Sequence, residues 1–155
     1  MAARVWIDAQ RWAVDRLDGL RSQMGRSPAL AAHLTVGLRG EREALFELRR
    51  LGYIVVARRW RSSKMRGDID LIAWEGEWMC FVEVKTRSER SSMAPAETAV
   101  DRDKQKVLRR MAQAYLRSFP EERRREIPVR FDVMAVYLGG GRSEFELFRG
   151  AFGWR

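Results

Sequence analysis

The chain has 155 residues, 46% hydrophobic and 33% charged, a length and balance that fit one soluble globular domain whose core needs no disulfide or metal staple. Lysine and arginine number 30 against 21 acidic residues, a net charge of +9; a field of that sign favours polyanions, nucleic acid first and an anionic membrane surface second, although a generic basic surface carries the same charge. Cys80 is the sole cysteine, which excludes an intramolecular disulfide and a cysteine-built zinc site and suits a reducing, cytoplasmic location.

Residues 5–24 place Val5, Trp6, Ala9, Trp12, Ala13, Leu17, Leu20 and Met24 at helical spacing before Gly25, which predicts an amphipathic helix packed against protein. Charges at Asp8, Arg11, Asp15 and Arg16 break any signal-peptide core, and no window reaches membrane-spanning length. The stretch "RSPALAAHLTVGLRG" reads as a linker and a helical turn, with Ser27 as cap and Pro28 at the first helical position. A second helix follows from Glu41, turning Ala44, Leu45, Leu48 and Leu51 inward and stopping at Gly52.

"YIVVARRW" predicts a strand and "RSSKMRG" a basic loop; "GDIDLIAWEGEWMCFVEVK" predicts two more strands, and "SERSSMAPAE" a loop. A third helix is expected from Asp101 to Phe119, with Val107, Leu108, Met111, Tyr115 and Phe119 on one face and Pro120 ending it. "EERRRE" reads as a solvated turn, and "VRFDVMAVYL", "GGGR" and "SEFELF" as a hairpin. Helices alternating with strands imply an α/β sandwich.

The central hairpin carries four charges inside β-prone runs: Asp68, Asp70, Glu83 and Lys85. A two-residue type II′ turn at Gly76-Glu77 sets Asp70 opposite Glu83, Asp68 opposite Lys85, Ile72 opposite Phe81 and Trp74 opposite Met79, all on one face. Ile69, Leu71, Ala73, Cys80, Val82 and Val84 then line the other face, which is apolar and suits burial under a helix. Opposed β-carbons lie about 4.5 to 5.5 Å apart, so the Asp70 and Glu83 carboxylates can converge. Like charges that close are destabilising unless one protonates or a cation joins them. Mg²⁺, which takes oxygen ligands and keeps several waters, suits two carboxylates, and Lys85 beside them could orient a water or meet a phosphate, a set suited to phosphodiester hydrolysis. The same pattern also describes an exposed sheet face with cross-strand ion pairs, Asp68 to Lys85 among them, and a three-residue turn would slip the register and separate the groups.

"GDIDLIA…FVEVKTR" resembles the bipartite motif of the PD-(D/E)xK nuclease superfamily, and in particular the small bacterial YraN-like proteins, predicted endonucleases related to archaeal Holliday-junction resolvases. "HLTVGLRGEREALFELRRLGYIVVARRWR", "VDRDKQKVLRRMAQAYL" and "RFDVMAVYL" extend the likeness over about residues 33 to 152. The resemblance implies a restriction-endonuclease-like three-layer sandwich, a mixed sheet flanked by helices, over residues 33–155, with residues 1–32 as a helical extension outside it. It implies Asp70 and Glu83 as ligands of Mg²⁺ or Mn²⁺, the main-chain carbonyl of Val84 as a third donor, Lys85 as the catalytic lysine, and Glu41 as a further acidic group on the first helix. A glutamate in a helix N-terminal turn is the alternative for Glu41. Lys104 and Gln105 match polar positions on the later helix, for DNA contact, support of the site or a solvated face. The family usually has Glu where this chain has Asp68, and Asn is common where it has Arg59.

Arg58, Arg59, Arg61, Lys64 and Arg66 run into the hairpin and suit phosphate binding. His33, the sole histidine, reads as structural or capping. The expected partner is DNA, branched by resemblance, without sequence readout, and a homodimer suits a two-fold substrate. The rival readings are a nucleic-acid-binding module that does not cleave, and a protein-interaction subunit docking through Trp6 and Trp12.

Overall fold

The computed structural model describes residues 28–87, 100–139 and 141–155. The amphipathic helix expected over residues 5–24 and the loop expected over 88–97 lie outside them. Helix α1 (Pro28–Arg50) is one 23-residue helix where the sequence suggested a linker and helical turn followed by a second helix from Glu41. Pro28 does open it, and α1 runs through the boundary between 32 and 33. Glycine inside a helix costs roughly 1 kcal/mol against alanine, but at Gly40 the missing side chain is required. A β-carbon there would sit 1.8 Å from Thr86 Oγ1, so α1 lies against strand β3 (Trp78–Arg87) at a distance only glycine permits.

The helix ends in a Schellman arrangement: Gly52 at φ 92, with the Gly52 and Tyr53 amides donating to Arg49 and Leu48 carbonyls at 3.1 and 2.9 Å. Leu51, expected inward, falls beyond the last turn and is 45% exposed.

Besides β3, the sheet contains β1 (Ile54–Trp60), β2 (Ile69–Glu75), β4 (Val129–Tyr137) and β5 (Glu144–Phe152). Its order is β1-β2-β3-β4-β5, antiparallel except for the parallel β3/β4 pair. That parallel pair needs a crossover, supplied by α2 (Arg102–Leu116). Asp101 caps α2 by accepting from Lys104 N at 2.7 Å. The helix stops short of the predicted Phe119, and the expected turn at 121–126 is a short helix, α3 (Glu121–Glu126), with no buried residue.

Helices cover both faces of the sheet. Ala44, Leu45, Phe46 and Leu48 of α1 pack on Leu71, Ala73, Cys80, Val82, Met134 and Val136. On the other face Leu108, Met111, Ala112 and Leu116 of α2 pack on Ile72, Met79, Phe81, Phe131 and Val133. The result is the expected α/β sandwich of three layers, a mixed sheet between helices. Among the described residues no helix is long and apolar enough to cross a membrane.

Candidate functional site

The hairpin register is the one its turn predicts. Leu71 faces Val82, Ile72 faces Phe81, and Trp74 faces Met79. Gly76 takes φ 57 while Glu77 stays at negative φ, the pattern of a type II′ turn. One residue beyond Leu71/Val82 the pairing changes character, because Asp70 Oδ2 accepts the Val84 amide hydrogen at 2.7 Å. The strand bends there, and Ile69, expected beside Leu71, packs instead with the α2 cluster. Asp68 precedes β2 and does not pair with Lys85; its carboxylate lies 3.4 Å from Arg61.

At this end of the hairpin Glu83 is 4% exposed. Lys85 Nζ lies 3.1 Å from its Oε1 and Lys104 Nζ 3.1 Å from its Oε2, a buried oxygen. Burial, and then the Glu83 charge, push the Asp70 carboxyl up to about 7 against the Val84 hydrogen bond. Glu41 stands mid-helix in α1, which removes the helix-dipole alternative. Burial raises its pKa against the nearby Arg59, and the Asp68 and Glu83 charges raise it further. Against a burial that lowers it, Glu83 holds the Lys104 ammonium above the ordinary lysine value. Glu41, Asp70, Glu83, Lys85 and Lys104 therefore share one electrostatic neighbourhood, assembled from α1, β2, β3 and α2.

The basic residues ring this cluster. Arg58, Arg59, Arg61, Lys64 and Arg66 are all exposed, and Arg59 Nε lies 3.6 Å from Glu41 Oε2. Arg59 has φ 46, the left-handed region that Asn tolerates better than other side chains. Gly67 closes the loop at φ 111, where a β-carbon would also lie 2.7 Å from Val107. Gln105 is turned away from the carboxylates: its Nε2 donates to the Val100 carbonyl at 3.0 Å and its Oε1 accepts from Arg109 at 3.1 Å. His33 is exposed on α1, neither buried nor at a cap.

A divalent cation fits the Asp70 and Glu83 donors. Both are hard carboxylate oxygens, burial and then the Glu83 charge hold Asp70 up at about 7, and Glu83 Oε2 is buried beside the Lys104 ammonium. Among the described residues no three acidic, histidine or cysteine side chains gather as a metal cage. The protein would thus contribute two side-chain ligands, with Val84 adjacent in the chain and water completing the shell.

A second buried charge system, missed from the sequence, lies toward the turn end. Asp132 is 0% exposed and accepts from Arg130 at 2.7 and 2.9 Å and from the Gly150 amide at 2.9 Å. Arg130 also binds Glu75 and the Tyr53 hydroxyl, and Arg149 lies 3.0 Å from Glu75. Burial, followed by Asp132, pushes Tyr53 up to about 12. The signal for it was Arg130 and Asp132, two opposite charges two residues apart in an otherwise apolar strand.

The family model described as "Uncharacterised protein family UPF0102" matches residues 40–136, from Gly40 through nearly all of β4. A UPF0102 protein of Koribacter versatilis is 44% identical over 120 residues, 77% of this chain and 80% of its own. One of Rhodococcus opacus is 42% identical over 124 residues, covering 79% of this chain and 100% of that protein. One of Chlorobaculum tepidum is 45% identical over 101 residues, covering 65% and 74%. With its helix-packed mixed sheet and a match over most of its length, the chain belongs to the UPF0102 family, the YraN-like group that its hairpin motif resembles.

Proposed function

We propose that this protein is a metal-dependent DNA endonuclease, with branched DNA as its substrate and the cytoplasm as its location. The observation that carries the reading is the closeness of the Asp70 and Glu83 charges beyond the Leu71/Val82 end of the β2/β3 ladder, with Lys85 against Glu83 and exposed cations on β1 and the loop before β2. Two acidic groups forced together beside a surface built for polyanions have no use in binding DNA, which they repel. Asp70 and Glu83 would hold Mg²⁺ or Mn²⁺, which when bound supplies Lewis-acid charge stabilisation and a water of lowered pKa. Lys85 would orient an attacking water or meet the charge developing on the phosphate. Glu41, above the same carboxylates, is placed to hold a proton or a water. Arg59, Arg61, Lys64 and Arg66 grip phosphates on either side of the scissile bond. Lys104 joins the site, while Gln105 supports it by fixing the start of α2. A homodimer would present two such sites to a two-fold junction.

The test incubates the protein with labelled four-way junction, flap, single-stranded and duplex DNA, with Mg²⁺, Mn²⁺ or EDTA. Cutting is expected only with metal, and Asp70→Ala and Lys85→Ala are each expected to lose at least about a hundredfold in rate. Salt-sensitive binding without cutting of any substrate would overturn the enzyme reading. That outcome would favour a non-cleaving DNA-binding protein, whose specific support is that both Glu83 oxygens already face lysines and, among the described residues, no third metal-type ligand joins them.

A further inference from the structure

Glu83 is neutralised by two lysines of different mechanical standing. Lys85 is two residues along the same strand, so its ammonium and the carboxylate keep their relation whenever β3 is intact. Lys104 reaches Glu83 from the first turn of α2, a separate element. Its side chain is 28% exposed, so its flexible stem has a path to solvent that disturbs no core packing. Its ammonium lies 3.1 Å from Glu83 Oε2, a buried oxygen. A cation held by Asp70 and Glu83 would compete with that ammonium for the Glu83 carboxylate.

We infer that Lys104 is the resident placeholder of the carboxylate site, an ammonium that keeps Glu83 neutralised until a divalent cation displaces it. The inference rests on the metal-dependent reading above and adds an order of events to it. A buried carboxylate left without any cation is strongly disfavoured, so an empty site needs a substitute charge. Once a divalent ion binds, an ammonium about 3 Å from the same oxygen is repelled. The displaced ammonium is then free to meet a phosphate of the incoming strand. Lys106, two residues on, is a natural control, because it pairs with the exposed Asp103 at 2.9 Å and leaves Glu83 alone.

The experiment measures Mn²⁺ binding to the full chain, without DNA, by electron paramagnetic resonance of the free ion. The proteins compared are wild type, Lys104→Met, Lys104→Arg and Lys106→Met. Lys104→Met is expected to bind Mn²⁺ at least about fivefold more tightly than wild type, Lys104→Arg to return toward wild type, and Lys106→Met to stay within about twofold. Tighter binding cannot come from a damaged fold, so the expected sign separates the mechanism from misfolding. Unchanged or weaker binding in Lys104→Met, or equal tightening in Lys106→Met, overturns the placeholder while leaving the nuclease reading standing. If no variant binds Mn²⁺, the metal-dependent reading falls and the placeholder with it.

Discussion

Replacing Asp70 with Asn should stabilise the metal-free protein at high pH, which is the opposite of what removing a structural charge does. The carboxyl is pushed from 3.8 to about 7, first by burial and then by Glu83. A rise of about 3 pH units corresponds to about 4 kcal/mol between the ionised and protonated forms in the fold. Discounted for coupling to the neighbouring charges, roughly 2 kcal/mol is the order of magnitude that falls to Asp70. The sign follows from linkage: between about pH 4 and pH 7 the folded protein binds more protons than the unfolded chain, so stability falls as pH rises through that window. Asn keeps an oxygen that can accept the Val84 amide and carries no charge at any pH. In urea unfolding with EDTA, Asp70→Asn should exceed wild type by roughly 2 kcal/mol at pH 8, near a 1 M shift of midpoint, with the gap closing toward zero near pH 4. Saturating Mn²⁺ should then raise the wild-type midpoint and leave the variant unmoved. A wild type and variant that unfold together at both pH values, or an Asn variant weaker at pH 8, would refute the crowding of these two carboxylates.

Three further outcomes test how the fold holds the site. Gly40→Ala should lose roughly 1 to 3 kcal/mol despite alanine's helix preference, because its β-carbon would overlap Thr86. Adding Thr86→Ala should return part of the loss in a double-mutant cycle followed by urea unfolding. Arg59→Asn should hold or raise stability by up to about 1 kcal/mol at φ 46, whereas Arg59→Val should lower it; equal melting of the two would remove the backbone account. Arg130→Met should cost about 3 to 5 kcal/mol in urea unfolding, since it strands the fully buried Asp132, and a loss under about 1 kcal/mol would count against that network.

The parity of the hairpin was legible because its turn allowed few alternatives: Gly76-Glu77 set the register, and the register set Asp70 toward Glu83. Parity could not show where the ladder ends. Asp70 takes the Val84 amide for its own side chain, and that substitution turned Ile69 to the other face. The continuity of α1 was illegible for a related reason. Gly37 and Gly40 lower local helix propensity, and the gain at Gly40 comes from Thr86, far along the chain. Lys104 could be matched by resemblance alone, since nothing in its spacing from Glu83 predicts contact across the α2 crossover.

The sheet buries two acids on neighbouring strands, Glu83 on β3 and Asp132 on β4, and the way each is neutralised separates scaffold from site. Asp132 is held by the fixed fork of Arg130 and by a main-chain amide, with Arg130 further tied to Glu75 and Tyr53. Every bond there is directional, and no single group can leave without stranding another, which suits a structural network. Glu83 is held by two lysines, compact point charges on flexible stems with little directional demand. A carboxylate neutralised that way can exchange its counter-ions while the strand beneath it stays in place. Replacing Lys104 by Arg is therefore a test of mechanism as much as of charge. If a planar fork locks Glu83 as Arg130 locks Asp132, Mn²⁺ should bind to Lys104→Arg no more tightly than to wild type and displace its side chain less readily, while the fold gains stability against urea. An Arg variant that gains stability yet binds Mn²⁺ more tightly than wild type would show that locking Glu83 in this way does not oppose the metal.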